Sequence, residues 1–257
     1  MKSELTIAAI EAALQAGDLL RKGFGTTLEI ETKPGLHNLV TQYDKAAEKL
    51  IFEALHQQFP HHGFIGEEQG ATQKGEIVWI VDPLDGTVNF AHGVPVFAVS
   101  IAAASGNDLL AGCVYQPLTQ ELFWAEKGKG AFLNETPLSV TKNKNLDEAF
   151  LATGFPYNVH EDPLHCIEAF SRMTRKGVPI RRLGSAAIDL SYVAAGRFDG
   201  YWEVMLQPWD FAAGKLLVEE AGGQVTGYDG LPFDLDKPTP LVASNRHLHA
   251  KILEAIQ

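Results

Sequence analysis

Trp79-Ile-Val-Asp-Pro-Leu-Asp-Gly-Thr-Val-Asn-Phe90 drives an apolar segment straight into two carboxylates, a glycine and a threonine. Ile77 to Val81 is short, β-branched and aromatic, so it reads as a buried strand, and Pro83 and Gly86 turn the chain immediately after it. Asp82 and Asp85 are therefore expected where a sheet ends and a turn opens. Thr87 is placed to cap a short helix that Gly93 terminates, which would aim the N–H groups of Gly86 and Thr87 at the space between the aspartates. Asp, Pro and Gly are also ordinary turn formers, so the stretch gains its meaning from two others.

Gly66-Glu67-Glu68 follows the apolar pair Phe64-Ile65, again where a strand stops. Trp209-Asp210 precedes Phe211 to Ala221, a run with apolar residues at helical spacing closed by Gly222-Gly223, so Asp210 reads as an N-cap. Four carboxylates at the ends of buried elements repel one another unless a positive charge sits among them. With no Cys or His at ligand spacing, all-oxygen ligation points to a hard cation such as Mg²⁺ rather than zinc. The close histidine pairs, His61-His62 and His247-x-His249, lack flanking zinc ligands and read as surface residues. Trp79, Trp124 and Trp209 read as packing residues.

Helical periodicity covers Ser3 to Leu20 and Asp44 to Phe59. A β-rich block follows, with strand-like segments at Phe97 to Ala104, Leu109 to Tyr115 and Leu122 to Ala125 and turns at Gln116-Pro-Leu-Thr119 and Asn134-Glu-Thr-Pro137. Beyond about Glu148, strands alternate with helices: Phe150 to Thr153, a helix near Pro163 to Met173, Val178 to Arg182, a helix from Ser185, then Gly200 to Val204. The polar run Thr141 to Asp147 divides the chain into an α+β half, residues 1–145, and an α/β half, residues 146–257. Asp82 and Asp85 belong to the first half and Asp210 to the second, so a metal held by all three lies between them.

At 257 residues and 46% hydrophobic content the chain is long enough to bury a substantial core. Glu4, Glu11 and Asp18 interrupt the first apolar residues too often for a signal peptide or a spanning helix. Cys113 and Cys166, with no CxxC, fit a reducing cytoplasm. A net charge of -11 disfavours a nucleic-acid surface, and an anionic substrate then needs bound metal to be attracted. The basic cluster Arg172, Arg175, Lys176, Arg181 and Arg182 reads as a solvated face, with phosphate or interface contacts as the alternative.

Gly66-Glu67-Glu68, Asp82-Pro-Leu-Asp-Gly-Thr87 and Trp209-Asp210 with its Gly222-Gly223 tail, in this order and at these separations, resemble the inositol monophosphatase family. The likeness runs from Asn38-Leu-Val-Thr-Gln-Tyr-Asp44 to the last helix. It implies a layered αβαβα sandwich of the sugar-phosphatase type, with two sub-domains and the active site between them. It implies a lithium-sensitive phosphate monoester hydrolase in which Glu67, Asp82, Asp85, Asp210 and the Leu84 carbonyl hold two to three Mg²⁺ ions. By the same resemblance Glu67 serves the catalytic water, while Asp44 and Thr87 orient it. Thr41-x-x-Asp44 also looks like a helix capping box, a competing role for Asp44. If the Glu67-Glu68 segment is extended only one of the two faces the metals, and the family pattern selects Glu67.

Substrate contacts implied by the family fall on Asp85, Gly86, Thr87, Gly184, Ala186, Glu203 and Asp210. Glu203 matches the position that contacts inositol hydroxyls, and a carboxylate suits vicinal hydroxyls because it accepts two hydrogen bonds at once. Gly184-Ser-Ala-Ala187 departs from the family's Gly-Thr-Ala-Ala only at Ser185. The expectation is an inositol-1-monophosphatase acting on a small-molecule phosphate monoester, cytoplasmic and homodimeric, without nucleic-acid or membrane partners. Alternatives are phosphatases for histidinol phosphate, adenosine bisphosphate, fructose bisphosphate or NADP, or a non-catalytic module binding Mg²⁺ or a sugar phosphate. Aspartyl-phosphate chemistry is disfavoured, since its two acids stand two residues apart, whereas Asp82 and Asp85 are three apart with Pro83 between.

Overall fold

The structure, a computed structural model, describes residues 2–32 and 39–257. Asn38, the first residue of the upstream motif, lies outside the described residues. Two long helices come first, α1 (Glu4–Gly23) and α2 (Gln42–Gln58), with the short antiparallel strands β1 (Ile30–Thr32) and β2 (Leu39–Thr41) between them. Ser3 caps α1 by accepting the Thr6 N–H, and Ala8, Ala9, Ala12, Ala13, Ala16 and Leu20 form its buried stripe.

An eight-stranded sheet follows: β3 (Gly63–Gly66), β4 (Gly70–Gln73), β5 (Val78–Asp85), β6 (Ala98–Ser105), β7 (Asp108–Gln116), β8 (Glu121–Glu126), β9 (Gly130–Leu133) and β10 (Thr136–Pro137). Its spatial order is β10-β9-β8-β7-β6-β5-β3-β4, antiparallel except where β3 runs beside β5. The short helix α3 (Thr87–Ala91) joins β5 to β6. A second, five-stranded sheet is built from β11 (Leu151–Thr153), β12 (Ile180–Arg181), β13 (Gly200–Leu206), β14 (Gln224–Gly227) and β15 (Thr239–Ser244), in the order β12-β11-β13-β15-β14. The remaining helices are α4 (Cys166–Arg175), α5 (Ala186–Ala194), α6 (Pro208–Glu220) and α7 (His249–Ile256).

The layers follow from strand periodicity. In β6, Val99, Ile101 and Ala103 pack toward α1 and α2, while Ala98, Ala102 and Ala104 pack toward α5 and α6. In β13, Tyr201 joins the α5–α6 core and Trp202 joins the core of α4 and α7. Both sheets are thus buried on two faces, which is why their strands read as nearly continuous apolar runs. The result is the αβαβα sandwich implied by the resemblance, with α5 and α6 as its middle layer against both sheets. Both cysteines are free and buried. Among the described residues no helix is long and apolar enough to cross a membrane.

Three local expectations need correction. The strand that begins at Val78 does not stop at Val81 but runs through Pro83 to Asp85, because the chain takes a register shift there rather than a full turn. Asp210 is the third residue of α6, not its cap, because Pro208 starts the helix and Gln207 takes the cap position. His249 is 3% exposed rather than superficial, hydrogen-bonded to Thr226 (2.8 Å) and Ser244 (2.9 Å) between α7 and the second sheet.

Candidate active site

The irregularity in β5 decides the site. On a regular strand, residues three apart face opposite sides, so Asp82 and Asp85 could not serve one centre. The register shift between them removes that restriction, and the Asp82 carboxylate secures it by accepting the Leu84 N–H at 2.9 Å. Gly86 follows with φ +95°, and a Cβ there would stand 2.9 Å from the Val96 carbonyl oxygen, so only glycine fits. Gly86 therefore occupies the cap position of α3. Thr87, expected as the cap, is instead its first residue, and its hydroxyl serves Asp44 and the Leu84 carbonyl.

β5, α5 and α6 open onto a cavity of about 1050 Å³. Glu67, Asp82, Leu84, Asp85 and Asp210 line it, as do Gly86, Thr87, Gly184, Ala186 and Glu203. Glu68 is not on the wall; its backbone N–H is turned to Glu48. Asp44 is fully buried behind Thr87, whose hydroxyl donates to its Oδ1 at 2.8 Å. Thr41 secures the other oxygen through its N–H (2.8 Å) and hydroxyl (2.5 Å), completing the capping box read in the sequence.

Burial first, then the charges of Glu67, Asp85 and Asp210, push the Asp82 carboxyl well above the carboxylate range. Burial raises Asp85 to about 6, although the Ser185 hydroxyl (2.6 Å) and the Ala187 N–H (2.7 Å) oppose the shift. Burial, then Asp85 and Glu67, raise Asp210. These acids feel one another across a shared space, and divalent cations relieve that repulsion. Among the described residues no three acidic, His or Cys side chains stand in finished ligand geometry. The donor set nevertheless fits Mg²⁺, which keeps several of its waters and takes only one or two carboxylates at a time.

Glu203 reaches the wall from β13, next to a break in register where Met205 takes φ 62°. Burial raises its carboxyl to about 7, against the hydrogen bond from the Tyr201 hydroxyl. Trp79 and Trp124 pack as expected, but half-buried Trp209 also lines the cavity. The basic cluster is largely solvated, as expected, with Arg175, Lys176, Arg181 and Arg182 exposed. Arg182 lines the cavity, and Arg172 donates to the carbonyls of Ala255 and Ile256.

Sequence reasoning missed two acids. Glu48, fully buried in α2, accepts the N–H groups of Glu68 (2.8 Å) and Gln69 (2.9 Å), fixing the turn that carries Glu67. Asp189 in α5 is 1% exposed and lines the cavity; burial, then Glu203 and Asp85, raise its carboxyl. A lone acid within an apolar helical run was the available signal for Asp189.

The profile described as "Inositol monophosphatase family" matches residues 1–257. An inositol-1-monophosphatase of Caulobacter vibrioides is 44% identical over 96% of this chain and 99% of its own length. The Nus factor SuhB of Escherichia coli is 43% identical over 86% of this chain and 84% of its own. Among solved structures, the extragenic suppressor protein suhB of Bartonella henselae superposes with a TM-score of 0.94 at 40% identity, covering 99% of both chains.

Proposed function

The chain belongs to the inositol monophosphatase family, and from that membership we propose that it is an Mg²⁺-dependent inositol-1-monophosphatase working by direct attack of water. It is a phosphatase, and its family is metal-dependent. The observation that carries the fuller reading is the convergence of Glu67, Asp82, Asp85 and Asp210, from three separate chain segments, on one cavity. In this reading those acids and the Leu84 carbonyl hold two to three Mg²⁺ ions. The carbonyl has a second lone pair beside the one that faces the Thr87 hydroxyl. When bound, the ions neutralise phosphate charge and lower the pKa of the attacking water.

The chain's own groups do the positioning. The Thr87 oxygen lies 2.8 Å from Asp44 Oδ1 and 3.0 Å from the Leu84 carbonyl; in this reading its one proton goes to the nearer, charged acceptor, Asp44, so its oxygen is left to accept a hydrogen from water and aim the water's lone pair at phosphorus. Asp44, held at both oxygens, keeps that direction fixed. The N–H groups of Gly86 and Thr87, at the start of α3, receive phosphate oxygens. A non-catalytic binding module has no use for such a pair, which favours the enzyme. Glu203 favours a polyol as the alcohol portion. Lithium inhibition, homodimer assembly, cytoplasmic residence and halves at 1–145 and 146–257 belong to the same proposal.

Phosphate release from inositol 1-phosphate, histidinol phosphate, a hexose bisphosphate, adenosine bisphosphate and NADP, with and without Mg²⁺, tests it. Inositol 1-phosphate should be the preferred substrate, EDTA should abolish turnover, and Asp210→Asn should cost about a hundredfold or more through loss of a cation contact. Full activity in EDTA would overturn the metal mechanism, and preference for another ester would overturn the inositol assignment.

A further inference from the structure

In Ala186-Ala-Ile-Asp-Leu-Ser-Tyr-Val-Ala194, the sequence of α5, Asp189 is the one charged residue. It is 1% exposed and lies on the cavity wall, and its Oδ1 has no hydrogen-bond partner among the described residues. A buried, unsatisfied carboxylate oxygen is costly, and such atoms in native structures have a reason for being there. The neighbours sharpen the point. Tyr201, fully buried, has one hydroxyl proton and gives it to Glu203 rather than to Asp189. Arg182, also on the cavity wall, acts electrostatically on both Glu203 and Asp189, and so does Asp85. A pair of carboxyl groups from α5 and β13 thus borders the acid cluster without belonging to the set assigned to Mg²⁺. Tyr201 supplies Glu203 with a hydroxyl donor and the exposed Arg182 guanidinium lies on the same wall, yet one acceptor of Asp189 remains unmet.

We propose that Asp189 is a specificity-determining residue that receives a hydroxyl of the substrate's alcohol portion, acting with Glu203 as a two-sided clamp for a polyol phosphate. The inference rests on the inositol-phosphate reading and deepens it. A hydroxyl is the fitting donor because Arg182 already supplies positive charge, so an ammonium group would stand beside a guanidinium. A neutral O–H satisfies Oδ1 without that repulsion. Two carboxyls from different elements also demand hydroxyls on more than one carbon, which a ring polyol offers and a simple aryl ester lacks. A site built around a buried polar group discriminates strongly against substrates that leave it unpaired.

Asp189→Asn and the near-isosteric Asp189→Leu, each assayed on inositol 1-phosphate and p-nitrophenyl phosphate, test the clamp. Asp189→Leu should raise KM for inositol 1-phosphate about tenfold or more with kcat within about threefold, and leave kcat/KM for the aryl ester within about twofold. Asp189→Asn, which keeps an acceptor, should lie between wild type and leucine. The leucine variant should also unfold at a higher denaturant concentration, since an unpaired buried acid has been removed, whereas a merely structural aspartate would lower the midpoint. Equal losses on both esters, an unchanged ratio, or lower stability with unchanged selectivity would overturn the inference. If wild type prefers another hydroxylated ester, the inositol reading fails separately. The same ratio is then measured on that ester, and an unchanged value overturns the role of Asp189.

Discussion

Replacing Glu48 should loosen the Glu67 end of the cavity without touching the cavity wall itself. Its two carboxylate oxygens each accept one backbone N–H, from Glu68 at 2.8 Å and Gln69 at 2.9 Å, in a fully buried setting. Burial raises the Glu48 carboxyl, and these two amides oppose the shift. Glu48→Gln keeps one acceptor oxygen but turns an NH₂ group toward the second amide, leaving a buried N–H unsatisfied at a cost of about 1–3 kcal/mol. Glu48→Ala loses both bonds and opens a cavity, at a cost of about 3–5 kcal/mol. The strained part is the turn after β3, where the Glu67 N–H is tied to the Val81 carbonyl at 3.2 Å and Glu67 faces the cavity.

If about 1.4 kcal/mol of that cost falls on the position of Glu67, the Mg²⁺ concentration for half-maximal activity rises about tenfold in Glu48→Gln. At saturating Mg²⁺, kcat should stay within about threefold, because Glu48 touches neither substrate nor water in the proposed reaction. The assay is phosphate release against MgCl₂ at constant ionic strength, paired with urea unfolding. Gly66→Ala should act in the same direction, since its Cβ would run into the Glu48 carboxylate. A lowered unfolding midpoint with an unchanged Mg²⁺ curve would confine Glu48 to the fold. Collapse of kcat at saturating Mg²⁺ would place it in the chemistry instead.

Thr87→Val should lower kcat about a hundredfold or more with little change in KM, while Thr87→Ser, which keeps the hydroxyl, should stay within about tenfold; wild-type kcat in Thr87→Val would remove the water-orienting role. Burial lowers the His249 pKa from 6.5 to about 4, so between those values the unfolded chain binds a proton that the fold refuses. Stability should therefore fall as pH drops through that window, by about 3 kcal/mol in all, and urea midpoints of His249→Gln should show a shallower fall.

Elements with strong periodicity were legible: α1, α2 and β6 to β8 sit within a few residues of their predicted limits, because apolar spacing alone decides which face is buried. β4 was not, since Gly70-Ala-Thr-Gln73 carries no apolar run and forms only as an edge strand against β3. The acids of the site that cluster in sequence were readable as motifs. Glu48 was not, because a glutamate at helical spacing looks solvated until the turn it anchors folds against it. His249 escaped for the reverse reason: Leu248 and Ile252 around it are buried, but pairing it with His247 suggested a surface tract.

Asp44 posed two readings in the sequence, a helix cap or a catalytic group, and the geometry makes the two compatible. A carboxylate has two oxygens, and here the helix cap takes one while Thr87, which lines the cavity, takes the other. Asp44 uses Oδ2 to accept the N–H of Thr41 and Oδ1 to accept the Thr87 hydroxyl. Asp210, likewise third in its helix, uses Oδ2 for the N–H of Gln207 at 2.7 Å. Asp82 commits Oδ1 to Leu84. Oδ1 of Asp210 and Oδ2 of Asp82 have no protein donor among the described residues. The bonds that build the helix starts and the β5 irregularity also orient the acids, at no extra cost in ordered side chains. An Asn substitution preserves the anchoring acceptor and deletes the charge, so loss of activity with an intact fold is the signature this shared arrangement leaves. It also explains how a chain of net charge -11 holds Asp82, Asp85 and Asp210 together: each is anchored by backbone N–H or hydroxyl donors, and in the proposed reaction only the remaining charge needs a cation.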